Sequence, residues 1–289
     1  SVMKSAQEQI EKLAKNQNEI TGLATGFYDL DKLTSGLHEN ELIIVAARPA
    51  MGKTAFALNL AVNAASKSDK AVALFNLEMS AEQLAMRMIA AAGGIEMNKV
   101  RTGRLEHNDW KKVNEAMSEL SETNLYIEDN AGMTISEIRA KCRRLATSDK
   151  GLGLIVIDYL QLISGSSKNE GNRVQEVSEI SRSLKTMAME LKVPVVALAQ
   201  LSRSVELREN KRPIMSDLRE SGSIEQDADI VMFLYRDDYY NKAAAEQTDT
   251  SITELIIGKH RNGGTGTIEL LFERSMSNFR NYIKKNEEN

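Results

Sequence analysis

Short runs of apolar residues alternate with longer amphipathic segments through most of this chain of 289 residues. Five runs rich in aliphatic and β-branched residues predict strands, and the segments between them show the apolar spacing of helices. The predicted strands are 41–46, 71–77, 124–128, 153–158 and 194–199, and the predicted helices are 54–66, 80–92, 107–120, 134–148 and 171–191. Nearly unbroken apolar strands that alternate with helices predict an α/β fold, with a mostly parallel central sheet and helices on both faces.

The pattern changes after residue 228, where strand-like runs follow one another with short connections. These runs are DIVMFLYR (229–236), SITELIIGKH (251–260), TGTIELLFE (265–273) and NFRNYI (278–283). Such a succession predicts an antiparallel C-terminal extension on one edge of the sheet.

Residues 1–20 carry a separate helical pattern that precedes a glycine-containing joint. One narrow apolar stripe is formed at helical spacing by Met3, Ala6, Ile10 and Leu13. Two interpretations are open: the helix packs on its own domain, or it is a linker that docks on a neighbouring subunit. We divide the chain into this linker, 1–20, and a main domain, 21–289. Because the chain begins with Ser1 rather than Met, we expect a fragment that lacks an N-terminal part.

Composition restricts the possible functions. The chain has 42% apolar residues, three prolines and a single cysteine, Cys142, which excludes an internal disulfide framework and fits a reducing compartment. Without a membrane-length apolar run or a signal-peptide pattern, we expect a cytoplasmic protein that does not enter a membrane. The net charge of −4 does not favour nucleic acid as a partner, so a surface that binds nucleic acid would have to be local.

The segment ELIIVAARPAMGKTAFALNL, 41–60, combines an apolar strand, a loop and the start of a helix. This is the P-loop arrangement, in which backbone N–H groups and a helix N-terminus converge on phosphates. Ala47 stands where the motif has its first glycine, and a chance GKT sequence at a helix start is the alternative. Lys53 is expected to reach the β- and γ-phosphates, and Thr54 to bind Mg²⁺. The candidate nucleotide-binding residues are Arg48, Pro49, Ala50, Met51, Gly52, Lys53, Thr54 and Ala55.

Three other predicted strands end in a polar residue or are followed by one, and these residues have possible catalytic roles. Asp158 ends the strand of LGLIVID and suits a carboxylate that meets Mg²⁺. Glu78, in FNLEMS, could deprotonate the attacking water, or it could be a glutamate favoured by the helix dipole. Gln200 could sense a γ-phosphate, or it could be a buried amide bonded to backbone.

Two later segments carry cations beyond these strands. The polar segment 202–223 is expected to be mobile. Because its positive and negative charges nearly balance, the default interpretation is a solvated loop. Arg203 and other cations in the segment could still bind a phosphate backbone. It has no aromatic residue, so stacking on bases is not expected. Lys259 and Arg261 precede a glycine turn, which is either an ordinary charged hairpin or a source of an arginine finger acting in trans.

These segments together resemble the C-terminal ATPase domain of bacterial DnaB-type replicative helicases, a ring-forming RecA-like family. The resemblance runs from about residue 21 to 283 and is carried by TGFYDLDKLTSGLHENELIIVAARPAMGKTAFALN (25–59), FNLEMS (75–80), LIVIDYLQLI (154–163), ALAQLSRSVELRENKRPIMSDLRESGSIEQDADIVMFLYRDD (197–238) and KHRNGGTGTIEL (259–270). It implies a RecA-like P-loop fold for 21–289, ATP and Mg²⁺ as cofactors, a homo-hexamer, single-stranded DNA as ligand, and a helicase loader and primase as partners. It also implies that 1–20 is the family's linker helix and that the family's N-terminal scaffold domain is absent.

The resemblance also implies roles for individual residues. Lys53 and Thr54 would bind phosphates and Mg²⁺, with Asp158 as the metal-associated carboxylate. The remaining expected roles are the catalytic base (Glu78), the γ-phosphate sensor (Gln200), contacts to the neighbour's nucleotide (Arg261 and Lys259) and contacts to DNA in the channel (Arg219, Glu220 and Gly222). Two hypotheses follow: an ATP-driven helicase motor, or a nucleotide-gated DNA-binding RecA-like ATPase, a recombinase or clamp, that does not unwind. Glu78 together with Arg261 favours the motor.

Overall fold

A single nine-stranded sheet organises the described part of the chain. The computed structural model describes residues 2–15, 20–166, 168, 171–221, 223–242 and 248–284, and for 219–221 the backbone alone. The strands are β1 Leu42–Ala47, β2 Ala71–Asn76, β3 Leu125–Glu128, β4 Leu152–Asp158, β5 Val195–Gln200, β6 Ile230–Tyr235, β7 Thr250–His260, β8 Gly266–Glu273 and β9 Asn278–Asn281. Their spatial order is β3-β2-β4-β5-β1-β6-β7-β8-β9.

Ten α-helices accompany this sheet in the described residues. They are α1 Val2–Lys15, α2 Tyr28–Thr34, α3 Lys53–Lys67, α4 Ala81–Gly93, α5 Met97–Thr102, α6 His107–Ser121, α7 Ile135–Ala146, α8 Arg173–Leu191, α9 Ile224–Asp227 and α10 Asp237–Tyr240. Short 3-10 helices span Leu160–Leu162, Arg203–Leu207 and Met215–Ser221. All five predicted helices between the predicted strands are present, whereas α2, α5, α9 and α10 were not predicted.

The first six strands are parallel, and the last three are antiparallel. The predicted mostly parallel sheet with an antiparallel C-terminal extension is therefore confirmed. The prediction was wrong for β6, which was assigned to the antiparallel extension. This strand pairs with β1 in parallel, with Ile43 opposite Ile230, so the extension begins at β7. The connection from β5 to β6 consists of 3-10 turns and the short α9, so it lacks the long crossover helix whose pattern signals a parallel strand.

Helices cover both faces of the sheet, because alternate residues of each central strand enter different cores. Along β1, Ile43 and Val45 belong to a cluster with Phe56 of α3, while Leu42 and Ile44 belong to a cluster with residues of α7 and α8. All six residues of β1 are buried. This buried strand fixes the loop that follows it.

Helix α1 contributes nothing to either core. None of its residues, Val2–Lys15, all of which are described, is buried, and Met3 and Ile10 are 79% and 65% exposed. The packing of this helix on its own domain is thus not supported, and its docking on a neighbouring subunit stays a prediction. Among the described residues no helix combines the length and the apolar character needed to cross a membrane.

Candidate active site

The carboxyl ends of four parallel strands meet at one edge of the sheet and bring the predicted polar residues together. Ala47 at the end of β1 pairs with Gln200 at the end of β5, and Asn76 of β2 pairs with Asp158 of β4. A cavity of about 350 Å³ lies beside these ends. It is lined by Pro49, Ala50, Gly52, Lys53, Thr54, Ala55, Glu78, Met79, Arg87, Gln200, Phe272 and Ser277. Six of the eight candidate nucleotide-binding residues therefore share one cavity with Glu78 and Gln200.

The loop between β1 and α3 depends on two left-handed backbone conformations. Ala50 has φ +68°, and Gly52, the N-cap of α3, has φ +93°. A Cβ atom on Gly52 would lie 2.7 Å from Cζ of Phe279, so that position requires glycine for space as well as for conformation. The turn directs the chain into α3, whose first residues are Lys53 and Thr54.

The Lys53 side chain contacts a buried carboxylate and an aromatic ring. Its Nζ is 3.6 Å from Oδ1 of Asp158 and 3.5 Å from the ring centroid of Tyr159. Burial lowers the pKa of Lys53 below its usual value, while the carboxylates of Asp158 and Glu78 act in the opposite direction. The cation is thus held inside the cavity by opposite charge and an aromatic face.

The oxygen atoms around Asp158 fit a hard divalent cation. The Thr54 hydroxyl donates to Asp158 Oδ2 at 2.7 Å, and the Asp158 side chain is fully buried. Its Oδ1 has no hydrogen-bond partner among the described residues. A buried carboxylate oxygen that makes no hydrogen bond, beside a hydroxyl, is the kind of ligand set that Mg²⁺ uses. Thr54 and Asp158 could therefore hold the ion.

Asn76 connects the two acidic residues of the site and was missed in the sequence. It is 1% exposed, and its Nδ2 donates to Asp158 Oδ2 at 3.1 Å. Its Oδ1 accepts from the backbone N–H groups of Glu78 and Met79, at 3.0 Å and 2.8 Å. The signal was available, because Asn76 is a polar residue at the end of an apolar strand, as are Asp158 and Gln200.

Gln161 fixes the end of β5 and was also missed. Its Nε2 donates to the carbonyl of Gln200 at 3.0 Å, and its Oε1 accepts from the N–H of Gln200 at 3.1 Å. The reciprocal pair satisfies the last backbone groups of the strand, so the Gln200 side chain is left to line the cavity. Nothing in a sequence pattern marks this kind of contact.

Comparisons with known proteins show the family of this chain. The sequence model of the DnaB-like helicase C terminal domain matches residues 22–281. The chain belongs to this family. It is 56% identical to the replicative DNA helicase DnaC of Bacillus subtilis, over 98% of this chain and 62% of that protein. It is 57% identical to the replicative DNA helicase DnaB of Geobacillus stearothermophilus, over 97% of this chain and 61% of that protein. This DnaB-like domain thus spans less than two thirds of these relatives.

Two solved structures share the RecA-like fold of this DnaB-like domain. One is the structure of an ATPase domain, which matches with a TM-score of 0.91 and 43% identity, over 98% of this chain and 99% of that one. The other is a DnaB-like replicative helicase, described with its interactions with primase. It matches with a TM-score of 0.89 and 43% identity, over 98% of this chain and 67% of that one.

Two predicted nucleotide-binding residues of the DnaB-like domain lie away from the cavity lining. Arg48 is buried, its Nη1 donates to the carbonyl of Leu201 at 2.6 Å, and its Nε bonds to Glu206 at 3.2 Å. Met51 is 1% exposed and packs in the core. Arg48 therefore ties the loop after β1 to the segment that follows β5.

Lys259 and Arg261 lie at the opposite edge of the sheet from the cavity. Because β7 is antiparallel, its end at His260 pairs with Ile230, at the start of β6. Lys259 Nζ donates to the carbonyl of Glu225 at 2.6 Å, and Arg261 Nη1 donates to Asp229 at 3.2 Å. The structure brings these two cations together with each other, and separates them from the cavity of the same chain.

The predicted DNA-binding residues lie in the connection from β5 to β6. Arg203 is exposed in the 3-10 helix Arg203–Leu207. Arg219 and Glu220 belong to the helix Met215–Ser221, with side chains outside the described residues, and Gly222 is outside them altogether. Two ion pairs hold this connection, which was expected to be mobile. Arg208 pairs with Asp217 inside the connection, and Arg212 pairs with Glu254 of β7.

Proposed function

We propose that this chain is the ATP-driven motor of a ring-forming replicative DNA helicase, which translocates on single-stranded DNA and unwinds the duplex. The observation that carries the proposal is the cavity in which Lys53, Thr54 and Glu78 converge beside the buried Asp158. Family membership supports the same activity, and the helicases named above are its most direct precedents.

The cavity supplies the groups that ATP hydrolysis needs. The backbone of 48–55 and the Lys53 ammonium would hold the phosphates, and Thr54 and Asp158 would hold Mg²⁺. When bound, Mg²⁺ neutralises charge that builds up on the phosphates. Glu78, with its backbone fixed by Asn76, would accept the proton of the attacking water. Gln200 lines the same cavity and would contact the γ-phosphate.

The second edge of the sheet supports a site that two subunits share. The six-residue β1 separates the loop after Ala47 from the region of Arg261 by about 17 Å, which exceeds the reach of an arginine side chain. Arg261, assisted by Lys259, would therefore serve the nucleotide of a neighbour. Repeating this head-to-tail contact closes a ring in which hydrolysis depends on assembly, and the resemblance to the family implies six subunits.

The remaining partners follow from this motor. Arg203, Arg219, Glu220 and Gly222 would face the central channel and grip one DNA strand by its phosphates, which is compatible with a net charge of −4 because only the channel need be basic. The exposed stripe of α1 would dock on the adjacent subunit. A helicase loader and a primase are the proposed protein partners, acting with the motor in the cytoplasm. The alternative, a clamp or recombinase that does not unwind, has no observation that favours it.

ATP hydrolysis measured against protein concentration tests the proposal, with and without unstructured single-stranded DNA. Turnover per subunit should rise steeply with concentration and increase with DNA, and a forked duplex should be unwound. Lys53→Ala, the control for contaminating ATPase, should abolish turnover. Turnover that is linear in protein and indifferent to DNA would show a self-contained ATPase and overturn the shared-site motor.

A further inference from the structure

Asp229 occupies a fixed position at the amino edge of the sheet, between β1 and β7. Its backbone N–H donates to the carbonyl of Leu42 at 2.9 Å, and its carbonyl accepts from the N–H of Arg261 at 2.9 Å. The residue is 6% exposed. Its side chain therefore extends from a backbone that two neighbouring strands hold in place.

The carboxylate of Asp229 divides its two oxygens between different partners. Oδ2 accepts from the N–H of Leu42 at 2.8 Å and from Lys185 Nζ at 2.7 Å. Oδ1 accepts from Arg261 Nη1 at 3.2 Å. The bonds to Oδ2 orient the carboxylate, and Oδ1 is presented to the guanidinium.

The guanidinium of Arg261 is held on one side and open on the other. Besides the bond to Asp229, its Nη2 donates to the carbonyl of Gln226, yet 43% of the side chain is exposed. These two contacts fix the orientation of the planar guanidinium. Because a guanidinium has five N–H donors, other donors stay available. Donors that do not face Asp229 or Gln226 are directed toward the surface, where an anion from outside the chain could accept them.

We infer that Asp229 is the positioning residue for Arg261: it sets the direction in which the guanidinium meets a phosphate of the neighbouring subunit. The inference rests on the proposed function, in which Arg261 acts in trans. Asp229 does not touch the nucleotide of either subunit in this scheme. It acts through Arg261, at the edge of the sheet opposite its own nucleotide cavity.

Asp229→Asn is the test variant because the amide keeps the shape and one acceptor while it removes the charge. Misplacement of a catalytic group by about 1 Å lowers rates by roughly 100-fold, so we expect kcat for ATP to fall by roughly 10- to 100-fold. The KM for ATP should stay within about twofold, because the variant's own phosphate loop is intact. Lys185→Met removes one of the two donors to Oδ2 but leaves the charge of Asp229 and the bond from Leu42, so it should lower kcat by less than Asp229→Asn does.

Mixed rings separate positioning in trans from a structural effect. Asp229→Asn subunits, co-expressed in equal amount with Lys53→Ala subunits, should recover ATPase. About a quarter of the interfaces in a randomly mixed ring then combine an intact phosphate loop with a correctly held Arg261. Absence of recovery, where Arg261→Ala subunits do recover with Lys53→Ala subunits, would show that Asp229 does not act through Arg261 in trans, and would overturn the inference.

Two further measurements keep the outcomes distinct. The mixture of Arg261→Ala with Lys53→Ala tests the proposed function alone: if it shows no recovery, Arg261 does not act in trans and both proposals fail. If it recovers and the Asp229→Asn mixture does not, only the inference about Asp229 fails. If Asp229→Asn unfolds, which a thermal melt reports, Asp229→Glu replaces it, because that variant keeps the charge but displaces the carboxylate by one methylene.

Discussion

Replacing Gly52 with alanine adds a single methyl group, but two separate effects of that group should lower the free energy of unfolding. The position has φ +93°, where a residue with a Cβ costs about 1–2 kcal/mol. The added Cβ would also lie 2.7 Å from Cζ and 2.9 Å from Cε2 of Phe279. Overpacking of this kind costs about 1–3 kcal/mol, so Gly52→Ala should lose about 2–5 kcal/mol in total.

Phe279 has little freedom to make room for that methyl group. Its ring is 4% exposed and packs against Phe56 at 6.0 Å and Phe272 at 4.7 Å between ring centroids. Gly94, the C-cap of α4, provides the matched control, since it has φ +65° but nothing within 4 Å of an added Cβ. Gly94→Ala should therefore lose only the conformational part, about 1–2 kcal/mol.

Urea unfolding of the two variants and the wild type measures the difference, with the free energy of unfolding extrapolated to zero urea. Gly52→Ala should unfold at a clearly lower urea concentration than Gly94→Ala. In a Phe279→Leu background, the further loss caused by Gly52→Ala should be smaller, because a smaller side chain relieves the contact. Equal losses in Gly52→Ala and Gly94→Ala would refute the overpacking argument.

Three other predictions concern single groups. Asn76→Ala leaves the N–H groups of Glu78 and Met79 without their acceptor, so the protein should lose about 1–3 kcal/mol in urea unfolding, and kcat should fall more than ATP affinity. Burial lowers the pKa of Lys53, and phosphate binding needs its charged form. ATP affinity, measured with a fluorescent analogue, should thus begin to decline at a pH below 10.5, the usual pKa of lysine, whereas in Lys53→Arg it should not change with pH. Burial raises the pKa of Cys142 to about 12, so the thiol should react with iodoacetamide in urea but hardly at all in the folded protein at about pH 8.

The sheet edge that forms the site could be predicted, because short stretches of sequence mark the ends of its strands. An apolar run that ends in Asp158 or Gln200 marks the carboxyl end of a buried strand, and parallel strands place those ends side by side. The same reasoning could have included Asn76. The direction of β6 was not predictable, because it depends on pairing with β1, a strand far away in sequence, across a connection without a long helix.

The directions of long side chains could not be predicted from the sequence either. Arg48 stands within the predicted phosphate loop, but its guanidinium bonds to Leu201 and Glu206, which follow β5. A loop position gives the place of the backbone, whereas partners distant in sequence decide where a long side chain goes. Gln161 and Asp229 were missed for the same reason, since each acts through contacts to another strand.

The position of β1 gives a physical reason for neighbouring sites to influence one another in the proposed ring. Its carboxyl end continues into the loop that would hold the subunit's own nucleotide. Its amino end, at Leu42, donates to the carboxylate of Asp229, which also binds Arg261. All six of its residues are buried, and packed interiors transmit displacement rather than absorb it. On the proposed shared site, a shift of the phosphate loop at one interface would therefore reach the arginine at the next interface through a single strand.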